Sequence, residues 1–126
     1  MSKILIVDDD PDVVDACRLF LEKKGHSVSG SHNRADGMKA VKSVKPDLII
    51  LDVMMEQPDD GIAMAQDLRR EGVKTPILML TSIAKVTGMS FGADSDLVPV
   101  DEFLEKPVDP ATLVAKVGKL LGKKEG

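Results

Sequence analysis

The chain has 126 residues, 43% hydrophobic and 30% charged, which suits one compact domain with a single core and leaves no room for a second. Seventeen Lys and Arg against 21 Asp and Glu give a formal charge of −4, and Trp and Tyr are absent, which argues against direct nucleic-acid binding. No apolar run reaches the roughly 18 residues of a membrane span and no secretory core follows Met1, so a cytoplasmic location is expected.

Short apolar runs alternate with amphipathic segments, the pattern of a parallel sheet covered by helices on both faces. The first strand is predicted over Lys3–Val7. A helix follows, with Asp10 as N-cap, Pro11 at its first position and Gly25 as its stop. Its inward line reads Val13, Cys17, Phe20 and Leu21, so the lone cysteine is expected in the core. A polar strand, Ser27–Ser31, precedes a helix that presents Gly37, Ala40, Val41 and Val44. The third strand, Asp47–Leu51, is continuously apolar, and a helix with Ile62, Ala65 and Leu68 inward begins after Gly61. Strands at Pro76–Leu80 and about Val100–Leu104 complete the set. Between them, Gly88, Gly92 and Pro99 interrupt Ser82–Pro99, so a fourth helix there is predicted to be short or irregular. The last helix has Asp109 as cap, Pro110 in its first turn, and Leu113, Val117, Leu120 and Leu121 inward. The second and fifth strands are polar or flanked by proline, as edge strands are.

Ligands of such sheets bind beyond the carboxyl ends of the strands. Those ends carry Asp8-Asp9-Asp10, Asp52, Thr81-Ser82 and Lys106-Pro107. Each has an ordinary explanation alone: a helix cap, a turn residue, loop hydroxyls, a solvated lysine. Four such sets at four strand ends do not. Two carboxylates 4 Å apart repel by about 4 kcal/mol at an effective dielectric of 20, so Asp8, Asp9 and Asp52 call for a cation. Carboxylates completed by water suit Mg²⁺. Lys106 could then neutralise a phosphoryl oxygen and the Thr81 hydroxyl donate to another, which is most of what phosphoryl transfer requires.

At these residues the chain resembles the receiver domain of two-component response regulators. The resemblance rests on Ile4-Leu5-Ile6-Val7-Asp8-Asp9-Asp10-Pro11-Asp12, on Leu48-Ile49-Ile50-Leu51-Asp52 with Asp60-Gly61, on Met79-Leu80-Thr81-Ser82 and on Phe103-Leu104-Glu105-Lys106-Pro107. It implies a flavodoxin-like doubly wound α/β fold, a three-layer sandwich on a five-stranded parallel sheet in order 2-1-3-4-5, over residues 1–122 with 123–126 as a frayed tail. Asp52 becomes the phosphoacceptor, Asp9 a direct ligand of Mg²⁺, Asp8 the holder of a metal-bound water, and the Met54 carbonyl a further ligand. Thr81 and Phe103 become the switch, with Ser82 flanking the access path, and Lys106 the salt bridge to the phosphoryl group, with a cis peptide into Pro107. Met54 and Ile83, apolar at positions that tune lifetime in the family, imply a long-lived phosphoaspartate.

The implied donor is a phosphohistidine on a sensor histidine kinase or a histidine phosphotransfer protein. The implied output is a changed face of fourth helix, fifth strand and last helix, read by a downstream protein or by a phosphorylation-dependent homodimer. Such a domain is no enzyme beyond its own phosphorylation and dephosphorylation. Two departures stand out: Glu56-Gln57-Pro58 replaces the usual proline after Met55, and Ser95 to Asp101 looks inserted before the last strand. Two rival functions remain at this stage. One is a haloacid-dehalogenase-type phosphatase using Asp8 and Asp10; the other is a receiver-like interaction module that works without phosphorylation.

Overall fold

The computed structural model describes residues 2–53, 60–81, 100–106 and 108–125. Five strands, β1 (Lys3–Val7), β2 (Ser27–Ser31), β3 (Leu48–Asp52), β4 (Ile77–Thr81) and β5 (Glu102–Glu105), form one parallel sheet in the order β2-β1-β3-β4-β5. The helices are α1 (Pro11–Glu22), α2 (Arg34–Val44), α3 (Asp60–Arg70) and α4 (Pro110–Glu125). Residues 123–125 of the expected tail therefore fall at the end of α4, and the expected irregular helix lies outside the described residues, as do Met54, Ser82, Ile83, Pro107 and Gly126.

Alternation along the central strands divides the core in two. Ile4, Ile6, Leu48, Ile50, Leu78 and Leu80 face α1 and α4, while Leu5, Val7, Ile49, Leu51, Ile77 and Met79 face α2 and α3. Strands buried on both faces read as continuous apolar runs, and β2 and β5 are polar because each has only one neighbour.

Asp10 caps α1 by accepting the Asp12 N–H at 2.9 Å, ahead of Pro11. Asn33 caps α2 through the Asp36 N–H at 2.7 Å, and Asp109 accepts from the Thr112 N–H at 2.9 Å. Gly25 has φ +89, a left-handed conformation that stops the chain after α1 at little steric cost.

Two sequence expectations need correction. The buried line of α1 is Val14, Cys17 and Leu21; Val13 and Phe20 are only half-buried. Strands β3 and β4 begin and end one residue later than expected, and β5 begins two later and ends one later. Asp47 and Pro76 lie just before β3 and β4, while Asp52 and Thr81 become ladder residues, in register with Leu80 and Glu105 respectively.

Candidate functional site

The later strand ends matter for chemistry, because they put the main chain of Asp52 and Thr81 inside the sheet. Val53 N–H donates to the Leu80 carbonyl at 3.0 Å, and Lys106 N–H to the Thr81 carbonyl at 2.8 Å. At the end of β1, Asp8 N–H donates to Ser31 O at 3.0 Å, and Asp8 Oδ1 accepts the Asp10 N–H at 2.9 Å. These bonds tie the end of β1 to β2 and the ends of β3, β4 and β5 to one another, and the pairing of Val7 with Leu51 joins the two sets.

Asp8 is fully buried, Asp52 is 5% exposed and Thr81 2% exposed, whereas Asp9 is open to solvent. One oxygen from each of Asp8, Asp9 and Asp52 lies within 4.8 Å of the others. Lys106 Nζ sits 3.0 Å from Asp8 Oδ2 and 3.3 Å from Asp52 Oδ1. The ammonium therefore bridges the two buried carboxylates. Thr81 Oγ1 is buried with no hydrogen-bond partner among the described residues.

Among the described residues, the Lys106 ammonium alone does not balance this much acid. Burial, followed by the charge of Asp8, pushes the Asp52 carboxyl up to about 7 against the pull of Lys106. Burial would lower Lys106, but Asp8 and Asp52 outweigh it and hold the ammonium above its ordinary value. Clustered hard oxygens with excess negative charge, beside a buried hydroxyl lacking a partner, are what a small divalent cation and an anionic group would complete. Asp10 is not in the cluster. It is exposed and spent on capping α1.

Phe103 is half-buried and packs with the core on the α2–α3 side. Strand alternation puts Thr81 on that same side, two residues past Met79. Beside Lys106, between α1 and the turn into α4, opens an apolar cavity of about 220 Å³ lined by Val13, Cys17, Phe20 and Val108. Burial raises the Cys17 thiol to about 11, so its sulfur is a packing group rather than a nucleophile. The cavity is explained by the half-buried Val13 and Phe20, which simple helical periodicity had assigned to the core.

The family model of the response regulator receiver domain matches residues 4–118. The chain belongs to the response regulator receiver domain family. Among curated proteins, this receiver domain is 35% identical to the alkaline phosphatase synthesis transcriptional regulatory protein PhoP of Bacillus subtilis, over 98% of this chain and 50% of that protein. It is 36% identical to the DNA-binding dual master transcriptional regulator RpaA of Synechocystis, over 96% of this chain and 49% of that protein. The chain thus spans about half the length of these relatives. Among solved structures, the receiver domain of Francisella response regulator 1452 superposes with TM-score 0.82 at 22% identity, covering 98% of both chains. The CheY-like receiver domain protein of Methanospirillum hungatei gives 0.83 at 23% identity, over 99% of this chain and 97% of that one. The flavodoxin-like order of the sheet and the family expected from the four motifs are therefore both found. The buried acidic cluster fits the phosphorylation site of such a domain.

One cluster beside the site was not visible in the sequence. Arg34, the first residue of α2, is ion-paired to Asp67 of α3, with its Nη1 3.9 Å from Asp60 Oδ1. No local signal links charges so far apart along the chain.

Proposed function

We propose that this receiver domain takes a phosphoryl group onto Asp52 from a phosphohistidine of a sensor histidine kinase or phosphotransfer protein. The observation that carries this reading is the buried Asp52 carboxyl, 3.3 Å from Lys106 and grouped with Asp8 and Asp9, at the same strand ends as a buried Thr81 hydroxyl with no partner among the described residues. Asp8, Asp9 and Asp52 would hold Mg²⁺, with the Met54 carbonyl as the further ligand that the family resemblance implies. When bound, that ion neutralises carboxylate and phosphoryl oxygens.

The Asp52 carboxylate oxygen attacks the donor phosphorus while the bond to the histidine nitrogen breaks, and the electron pair leaves with the imidazole. Lys106 is already charged and needs only to shift from carboxylate to phosphoryl oxygen. Thr81 supplies its hydroxyl as a donor. The acyl phosphate adds about 1.5 to 2 negative charges, and movement of Thr81 makes room for Phe103 on the same face of the sheet. The apolar cavity beside Lys106 would receive side chains of the donor protein, bringing its histidine to the acids. The changed face around β5 and α4 passes the signal to a downstream protein or a second copy. Its chemistry is limited to gain and loss of its own phosphoryl group, in the cytoplasm.

Intact mass after incubation with acetyl phosphate and Mg²⁺ tests the reading. A single Mg²⁺-dependent phosphoryl adduct, lost in Asp52→Asn and on chelation, is expected. An adduct that survives Asp52→Asn but not Asp8→Asn would favour the phosphatase, and no adduct together with no Mg²⁺ binding would favour the phosphorylation-independent module.

A further inference from the structure

Immediately beyond Asp52 the chain returns to the same spot. Gly61, second residue of α3, donates its N–H to the Val53 carbonyl at 2.8 Å. A Cβ on Gly61 would lie 1.9 Å from the Asp52 carbonyl oxygen, 2.7 Å from its carbonyl carbon and 2.8 Å from Val53 Cα. All three are main-chain atoms, so no rotamer change could relieve the contact. The first turn of α3 therefore abuts the peptide group that carries the acceptor carboxylate. Besides its packing on the sheet, α3 is held in that place by α2. Gly37 lets α2 lie close to β1 and α3, since a Cβ there would lie 2.9 Å from Val7 Cγ1 and 3.0 Å from Met64 Cε, and Arg34 reaches from the capped start of α2 to Asp67 and Asp60. Arg70 also pairs with Asp67, at 3.3 Å, but only within α3.

We propose that Gly61 and Arg34 are positioning residues for phosphoryl transfer: Gly61 sets where the Asp52 main chain lies, and Arg34 fixes the start of α3 against it. The proposal rests on Asp52 being the acceptor. Neither residue touches the phosphoryl group. Both act by holding the nucleophile, where an error of 1 Å costs on the order of 100-fold in rate.

The structure supplies its own control. Lys42 and Glu71, 3.3 Å apart, also join α2 to α3, but at the opposite ends of those helices from the acids. Wild type, Arg34→Ala, Arg34→Lys, Gly61→Ala and Lys42→Ala are compared for labelling rate at saturating acetyl phosphate, for Mg²⁺ affinity by calorimetry, and for Tm. The rate is taken at a temperature where each is folded. Arg34→Ala is expected to label about 5- to 10-fold more slowly and Gly61→Ala, if it folds, at least 50-fold more slowly, in keeping with the sensitivity of positioned reactions. Arg34→Lys should recover part of the loss, and Lys42→Ala should label as wild type does. Arg34→Ala labelling at the wild-type rate, or Lys42→Ala slowing to the same degree, would overturn the proposal. A wild type that binds Mg²⁺ but takes no adduct would remove the acceptor reading and the positioning claim that rests on it, whereas a wild type that labels while Arg34→Ala labels equally fast would overturn the positioning claim alone. A wild type that neither binds nor labels overturns both.

Discussion

The two ends of the same sheet treat carboxylates in opposite ways. At the amino ends of the strands, Asp47 accepts the Lys3 N–H at 2.9 Å and returns its own N–H to the Lys3 carbonyl at 2.7 Å. Asp101 repeats the device: its Oδ2 accepts the Ile77 N–H at 2.9 Å and meets Arg69 Nη2 at 3.0 Å, while its N–H donates to the Ile77 carbonyl at 3.0 Å. Arg69 is itself tied to the Val73 and Thr75 carbonyls. At the carboxyl ends, three acids are grouped with Lys106 and with a buried hydroxyl that has no partner among the described residues. The carboxylates at the amino ends are satisfied by donors built into the fold, and those at the carboxyl ends, among the described residues, hold a charge imbalance that a bound cation would relieve.

Substitutions at the two ends should separate function from stability. The largest effect expected is Asp52→Asn, which should abolish the acyl-phosphate adduct by intact mass, a loss of at least about 100-fold in rate, as removal of a nucleophile entails. Lys106→Ala comes next, because it leaves two buried carboxylates without their cation; urea denaturation should show a loss of about 2–4 kcal/mol in the absence of divalent ions, with labelling slowed as well.

The pH dependence of stability is a third probe of the acidic end. The Asp52 carboxyl is raised from an ordinary 3.8 to about 7 in the fold, so folding favours its protonated form. Its contribution is fully present below about pH 4 and lost as pH rises through 7. Metal-free protein should lose stability across that window by on the order of 1–3 kcal/mol, and Asp52→Asn should flatten the decline. Mg²⁺ should accordingly raise Tm more at pH 8 than at pH 5.

At the opposite end, Asp101→Ala removes the acceptor of the Ile77 N–H and should cost about 1–2 kcal/mol in urea denaturation with no change in labelling rate. Asp47→Ala, in an exposed pairing, should cost less than about 1 kcal/mol. Slower labelling in either variant would break the division between the two ends.

Much of the molecule could be read from the chain because local rules decide it. Asp10-Pro11 and Asp109-Pro110 are start signals whose chemistry is complete within a few residues, and Leu48-Ile49-Ile50-Leu51 could only be a strand buried on both sides. Asp8, Asp9, Asp52, Thr81 and Lys106 were legible as a set because a parallel sheet brings the carboxyl ends of its strands to one edge. The strand ends were misjudged where ladder pairing, not composition, sets the limits: Asp52 and Thr81 are held in the sheet by Leu80 and Glu105. Val13 and Phe20 were misread for a related reason, since helical periodicity marks an apolar side chain without saying whether a neighbouring element covers it.

The sequence alone therefore determined the family, the sheet and the chemical identity of the acidic edge, because each follows from short-range pattern or from the geometry common to all parallel sheets. Tertiary structure decided which acids are buried, how far the Asp52 carboxyl rises, which charges meet Arg34 and how closely Gly61 approaches the acceptor. Those depend on distances between segments remote in the chain, and electrostatics in a partly dry pocket varies steeply with such distances.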